Sequence, residues 1–240
     1  MSRDIGDLWV YLAATPLTGL TITLGAYVFG QWIFRRSGHR PILNPVLLAV
    51  VILVGVLSVT GVDYPTYFQG AQFVHFLLGP ATVALAVPLY RQFDKVRRSA
   101  LSLSVALVAG SLTAAGTAML LGGWMGASRE VLLSLAPKSV TTPIAMGIAE
   151  LTGGLPSLTA VLVILTGILG AVAGTGVLRL VGIVDPKATG FAMGLASHGI
   201  GTARALELGE IQGAFAGLAM GLNGLLTAVL LPLILAWLGV

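Results

Sequence analysis

Cysteine is absent from the chain, which excludes disulfides, thiolate metal ligands and cysteine nucleophiles. Charge is scarce too, with only 9% of residues being Asp, Glu, Lys or Arg, far below the roughly one-quarter found in soluble domains. No G-x-x-x-x-G-K-[ST] motif occurs, which argues against ATP-driven chemistry by this chain, and there is no H-E-x-x-H. The three histidines fall in separate segments, so neither a metal site nor a cofactor is expected. Apolar residues are what the chain has in abundance: 56% of it is hydrophobic and its mean hydropathy is +0.96. That composition belongs to an integral membrane protein.

Charge-poor runs fall at about residues 8–34, 41–62, 64–90, 99–128, 131–149, 151–178, 188–203 and 211–240, each near the roughly 20 residues that a bilayer crossing needs. The expected fold is an all-α integral membrane protein of about eight hydrophobic segments, forming a single domain over 1–240. The first run is too long for the apolar stretch of a cleaved signal and is read as a span. Basic clusters follow the first segment (Arg35, Arg36, Arg40) and the third (Arg91, Lys95, Arg97, Arg98), two crossings apart, so both are expected on the cytoplasmic side with the N-terminus outside. Loops of this kind explain the net charge of +4 better than nucleic acid does. The 32 glycines suit close helix packing and helix breaks, and long spans with glycine-rich faces suit a homodimer.

The fifth segment is interrupted. Pro137 and Pro143 lack backbone donors and disfavour helix just before them, so the residues between are expected to be extended, with Thr142 capping a new helix that has Pro143 at its first position. That helix would aim free N–H groups and its positive end into the gap beside Lys138, an arrangement suited to an anion. The other reading leaves Lys138 in an aqueous loop between two ordinary spans. Segment three carries Gly79-Pro80-Ala81-Thr82 and segment seven carries Gly199-Ile200-Gly201-Thr202. Superposing the two nearly superposes Asp63 on Asp185 as well, which suggests an internal repeat, 1–124 and 129–240, with a broken helix in each half. Eight full crossings would make the halves parallel. A re-entrant fifth segment would make them inverted, placing Arg179 and Lys187 in the cytoplasm and Glu207 and Glu210 outside.

Besides Lys138, the ionisable groups in these segments are His75, Glu150, His198, Arg204 and Glu207, each costly in lipid. Arg204 and Glu207, three residues apart on a helix, suit a mutual ion pair. His198 could donate to a carboxylate, relay a proton or simply pack, while His75 favours packing. Glu150 reads as a solvated segment end or, if buried, as a proton-coupling group together with His198 and Glu207. Asn44 and Asn223 are expected to bond across helices, and Ser111, Thr113 and Thr117 to bond their own helix backbone. Ser139 beside Lys138 raises a Ser–Lys dyad, but neighbours on a helix do not face each other, so no enzyme is expected. The expected binding site places a small carboxylate at the amides from Pro143 onward and at Gly199, Gly201 and Thr202, with Lys138 as countercharge. Ser139, Thr141, Thr142, Thr82 and Thr202 supply hydroxyls, the amides of Ala81 and Thr82 add donors, and His198 adds a titratable one.

The stretches Leu135–Gly147 and Gly190–Ala205 together resemble the LrgB/CidB family of bacterial membrane proteins, over essentially the whole chain. The family is similar to the C-terminal half of the plastidal glycolate/glycerate translocator. The resemblance implies a multi-pass protein of the bacterial inner membrane that carries small monocarboxylates such as glycolate, glycerate or pyruvate by alternating access, with an LrgA/CidA-type membrane partner. The alternative it implies is a holin/antiholin-like pore or a regulator of murein hydrolase activity and lysis.

Overall fold

The computed structural model describes residues 16–77, 80, 83–84 and 86–238, and these contain helices and turns with no strand. In apolar surroundings every backbone N–H and C=O must be bonded within the protein, and a helix meets that demand within its own segment. Among the described residues, four helices are long and apolar enough to cross a membrane: Leu17–Arg36, Ala100–Trp124, Pro156–Leu180 and Glu210–Trp237. The chain is thus an all-α membrane protein. It divides into two compact units, Met1–Ala84 and Leu85–Val240.

The first unit holds α1 (Pro16–Arg36), a 3-10 turn (Pro41–Leu43), α2 (Pro45–Thr60) and α3 (Tyr64–Phe76). Asn44 starts α2 by accepting the amides of Val46 (2.9 Å) and Leu47 (3.3 Å), so its buried amide caps its own helix rather than bonding across helices. Thr23 on α1 meets the hydroxyl of Tyr67 on α3 at 2.7 Å. Of the expected site residues in this unit, Gly79, Ala81 and Thr82 lie outside the described residues, as does the side chain of His75.

The second unit holds α4 (Ala86–Arg91), α5 (Phe93–Arg98), α6 (Ala100–Trp124), α7 (Arg129–Leu135), α8 (Thr142–Thr152), α9 (Pro156–Leu180), α10 (Pro186–Leu208) and α11 (Glu210–Leu238). Its frame is the three long helices α6, α9 and α11. Between them sit two segments that turn back halfway.

The first of these runs from α7 through α8. Ser134, at the end of α7, accepts the amide of Leu155 on its hydroxyl at 2.8 Å, and its carbonyl accepts Thr159 Oγ1 at 3.2 Å. The segment therefore returns to the level of Ser134 by the time α9 begins. Midway, Val140 reaches the cluster that contains Val163, two turns down α9. The expected re-entrant fifth segment is what the chain forms. The residues between the prolines are not extended, however. Turns close from Lys138 N to Leu135 O (3.1 Å) and from Val140 N to Pro137 O (3.2 Å), because two short turns satisfy amides that an extended strand would leave bare. The residue flanking α8 is Thr141 rather than Thr142, and its side chain makes no capping bond.

The second turning segment is α10. Asp185 caps it through the amides of Lys187 and Ala188, both at 2.9 Å. Helical geometry then fails at Ser197 (φ −128°, ψ 17°) and His198 (φ 41°, ψ −132°). Packing shows that the break reverses the chain. Gly190 lies against Gln212 and Gly194 against Ala216, so the first arm runs alongside α11 in the same direction. Thr202 then lies at Met220 and Leu206 at Gly213, so the second arm runs the opposite way. Leu208 ends beside the cluster that holds Leu178. This corrects the expected placement of Glu207 and Glu210 on the side opposite the basic loops. Glu210 lies 3.9 Å from Arg91, an ion pair that only a chain returning to its starting end can make.

Gly190 and Gly194 allow this packing because a Cβ at either position would run into the backbone of α11. Gly194→Val should therefore cost about 1–3 kcal/mol through overpacking. A thermal melt of the purified protein checks this, with a midpoint several degrees lower expected.

Candidate functional site

The two turning segments come in from opposite ends of α9, and their tips meet near its middle. Asn223, at mid-length on α11 and 1% exposed, holds them together. Its Nδ2 donates to the carbonyl of Ser139 on the first tip at 3.3 Å and to the carbonyl of Leu195 on the second at 3.0 Å. Its Oδ1 accepts from Ser111 Oγ on α6 and from Thr227 Oγ1 at 3.3 Å. Both donors and both acceptor positions of the amide are thereby used. Asn223 bonds across helices as expected. Ser111 does not bond its own backbone, because Asn223 offers it a buried acceptor, whereas Thr117 keeps to Thr113 O at 2.6 Å.

His198 ties the second tip to α9 by a contact of 2.9 Å between Nε2 and Val163 O. Gly167 leaves room for this ring, since a Cβ there would fall 2.7 Å from His198 Cε1. At Gly170 a Cβ would overlap Ser197. Two missing side chains on α9 thus let the strained turn seat itself against the helix.

Lys138 stands at the head of a cavity of about 520 Å³ lined mainly by α9 and the first arm of α10. At that end it is joined by Thr166, Gly170 and Ser197. Lys138 is half-buried, and its Nζ lies 3.5 Å from Ser139 Oγ. The turn, unlike a helix, brings these neighbours together, although 3.5 Å exceeds the roughly 2.6–3.2 Å expected of a catalytic base and nucleophile. Among the described residues no carboxylate pairs with Lys138.

The other expected site residues are distributed around the tips. Thr141 and Thr142 are half-buried and Pro143 is exposed at the start of α8. Gly199 is exposed, while Gly201 is buried where the two arms of α10 cross. Thr202 gives its hydroxyl to His198 O at 2.8 Å and faces Met220. Glu150 is exposed on α8, and Glu207 pairs with Arg204 at 2.8 Å, the ion pair expected from their spacing. Ser197 and Thr166 are the cavity residues that sequence reasoning missed. Ser197 lies just before Gly199-Ile200-Gly201-Thr202, and Thr166 heads a stripe with Gly170 and Gly174 at four-residue spacing, which marks one face of a helix.

Residues 23–237 match the model of the LrgB-like family. The chain belongs to that family. It is 35% identical to a Bacillus subtilis protein named "Uncharacterized protein YwbG" over 221 residues, covering 92% of this chain and 98% of the other. It is 32% identical to the "Antiholin-like protein LrgB" of Bacillus mycoides over 225 residues, covering 94% and 98%, and equally to that of Bacillus cereus. No solved structure matches this LrgB-like chain.

Proposed function

We propose that this LrgB-like protein is a secondary carrier of small monocarboxylates such as glycolate, glycerate or pyruvate. The observation that carries the reading is Lys138, a half-buried cation at the tip of a re-entrant segment with no carboxylate partner among the described residues. An unpaired ammonium away from bulk water is costly, and a small anion relieves that cost reversibly. The hydroxyls of Ser197 and Thr166 suit the acid's oxygens. Segments entering from opposite ends of α9 offer a gate on each side, as alternating access requires. Of the three groups expected to couple protons, His198 is the one at a tip beside the cavity. Substrate accumulation that persists in His198→Gln would remove proton coupling from the proposal.

The names of the Bacillus mycoides and Bacillus cereus relatives favour a second reading, an antiholin-like pore or regulator of lysis, for which an LrgA/CidA-type membrane partner is part of the proposal. Counterflow of labelled glycolate in proteoliposomes separates the two. A carrier gives saturable exchange that unlabelled acid accelerates, whereas a pore gives size-limited leakage without counterflow.

A further inference from the structure

The cavity headed by Lys138 is much larger than a two- or three-carbon acid requires. It is an open groove of about 520 Å³, with Leu169 and Val177 exposed along its rim. It follows α9 from Thr166 to Leu178, about 18 Å at 1.5 Å per residue. Beyond Lys138, Thr166 and Ser197 its walls are apolar: Leu169, Ala173 and Val177 on α9, and Ala192, Met193 and Ala196 on α10. Gly170 lets Ser197 pack against α9 at the polar end of the groove, and Gly174 lines its apolar stretch. A Cβ at Gly174 would meet Met193 Cγ at 3.9 Å, an ordinary contact, so a side chain can be added there without a clash.

A path for a bare anion gains nothing from such walls, because each apolar turn lengthens the distance over which the charge goes unsolvated. A ligand with a charged head and an apolar tail is matched at both ends. We infer that the groove binds the aliphatic chain of an amphipathic monocarboxylate whose carboxylate sits at Lys138, Thr166 and Ser197. This rests on Lys138 being the anion's countercharge and extends the substrate class from short hydroxy acids to alkyl carboxylates.

The test is binding of acetate, butanoate, hexanoate, octanoate and glycolate to the full chain in nanodiscs, with empty nanodiscs subtracted. Burial of a methylene is worth about 0.8 kcal/mol, so affinity should rise about three- to fourfold per added CH₂ along the aliphatic series. Lys138→Met should weaken every acid. Gly174→Leu should bring the ratio of octanoate to acetate affinity close to one. If Gly174→Leu does not fold, Gly174→Ala, whose Cβ has ordinary contacts, should reduce the ratio in part.

Affinity independent of chain length overturns the inference, as does a chain-length gain that persists in Lys138→Met and Gly174→Leu, which would be simple partitioning into lipid. Co-purified phospholipid that no carboxylate displaces also overturns it. Glycolate counterflow on the same protein keeps the two ideas apart. A chain-length gain without counterflow leaves the groove assignment standing and removes the carrier, while counterflow with a flat series does the reverse.

Discussion

Lys138→Met should reduce monocarboxylate affinity by about ten- to a hundredfold, the loss expected for one hydrogen bond to a charged group worth 1.5–3 kcal/mol. The same variant should melt no lower than the parent protein, and this pairing gives the prediction its force. Lys138 is half-buried, the one hydrogen bond of its ammonium among the described residues is the 3.5 Å contact with Ser139, and no carboxylate among them balances it. Methionine keeps the unbranched chain up to the ε position and removes an ammonium whose desolvation opposes folding. A structural lysine would behave the other way, with stability falling and uptake falling only in proportion to the folded protein left. Thermal melts and uptake measured on one preparation distinguish these outcomes, and unchanged uptake would remove Lys138 from its assigned role. Lys138→Arg is not a conservative control, since a planar five-donor fork replaces a compact point charge.

Asn223→Leu should be the most destabilising single substitution at the centre of the second unit, by about 2–4 kcal/mol. The branched shape is kept, but the carbonyls of Ser139 and Leu195 lose their donor and the hydroxyls of Ser111 and Thr227 lose their acceptor. Inter-helix hydrogen bonds in membrane proteins average about 0.6 kcal/mol and reach about 1.7. Leaving a buried partner unsatisfied costs about 1–3 kcal/mol. Because one amide binds both tips, the loss should also appear locally. Cysteines placed at Val140 and at Ile200 should react faster with a thiol reagent in the Asn223→Leu background, with cysteines on α6 unchanged. Equal labelling at all positions would show that Asn223 supports the unit in general and not the tips. A double-mutant cycle with Ser111→Ala measures how much of the cost runs through that bond.

Much of this site was legible in the chain because proline, glycine and charge inside apolar sequence have few physical explanations. Pro137, Lys138 and Pro143 pointed to an interrupted helix, with an aqueous loop as the other reading, and Gly199-Ile200-Gly201-Thr202 pointed to a second interruption. A break does not say which way the chain leaves it, however. At segment five the loop charges supported a return, and the chain returns. At segment seven the same counting placed Glu210 on the far side, whereas Glu210 stands beside Arg91. The reversal there depends on a histidine held at φ 41°, a conformation that L-residues rarely adopt and that no local propensity favours. It is held by the contact with Val163 O and by the space at Gly167 and Gly170, all on a neighbouring helix.

The amino-acid sequence by itself settled the solvent, the helical class and the positions of the interruptions, because lipid enforces hydrogen-bond satisfaction segment by segment and each segment carries its own composition. Tertiary structure alone decided that the seventh segment turns back as well, that one asparagine joins the two tips, and that Thr166 and Ser197 share a cavity with Lys138. Those facts depend on which helix stands opposite which. That is set by close approach at glycines far apart in the chain, where what matters is an absent side chain whose meaning lies on another helix.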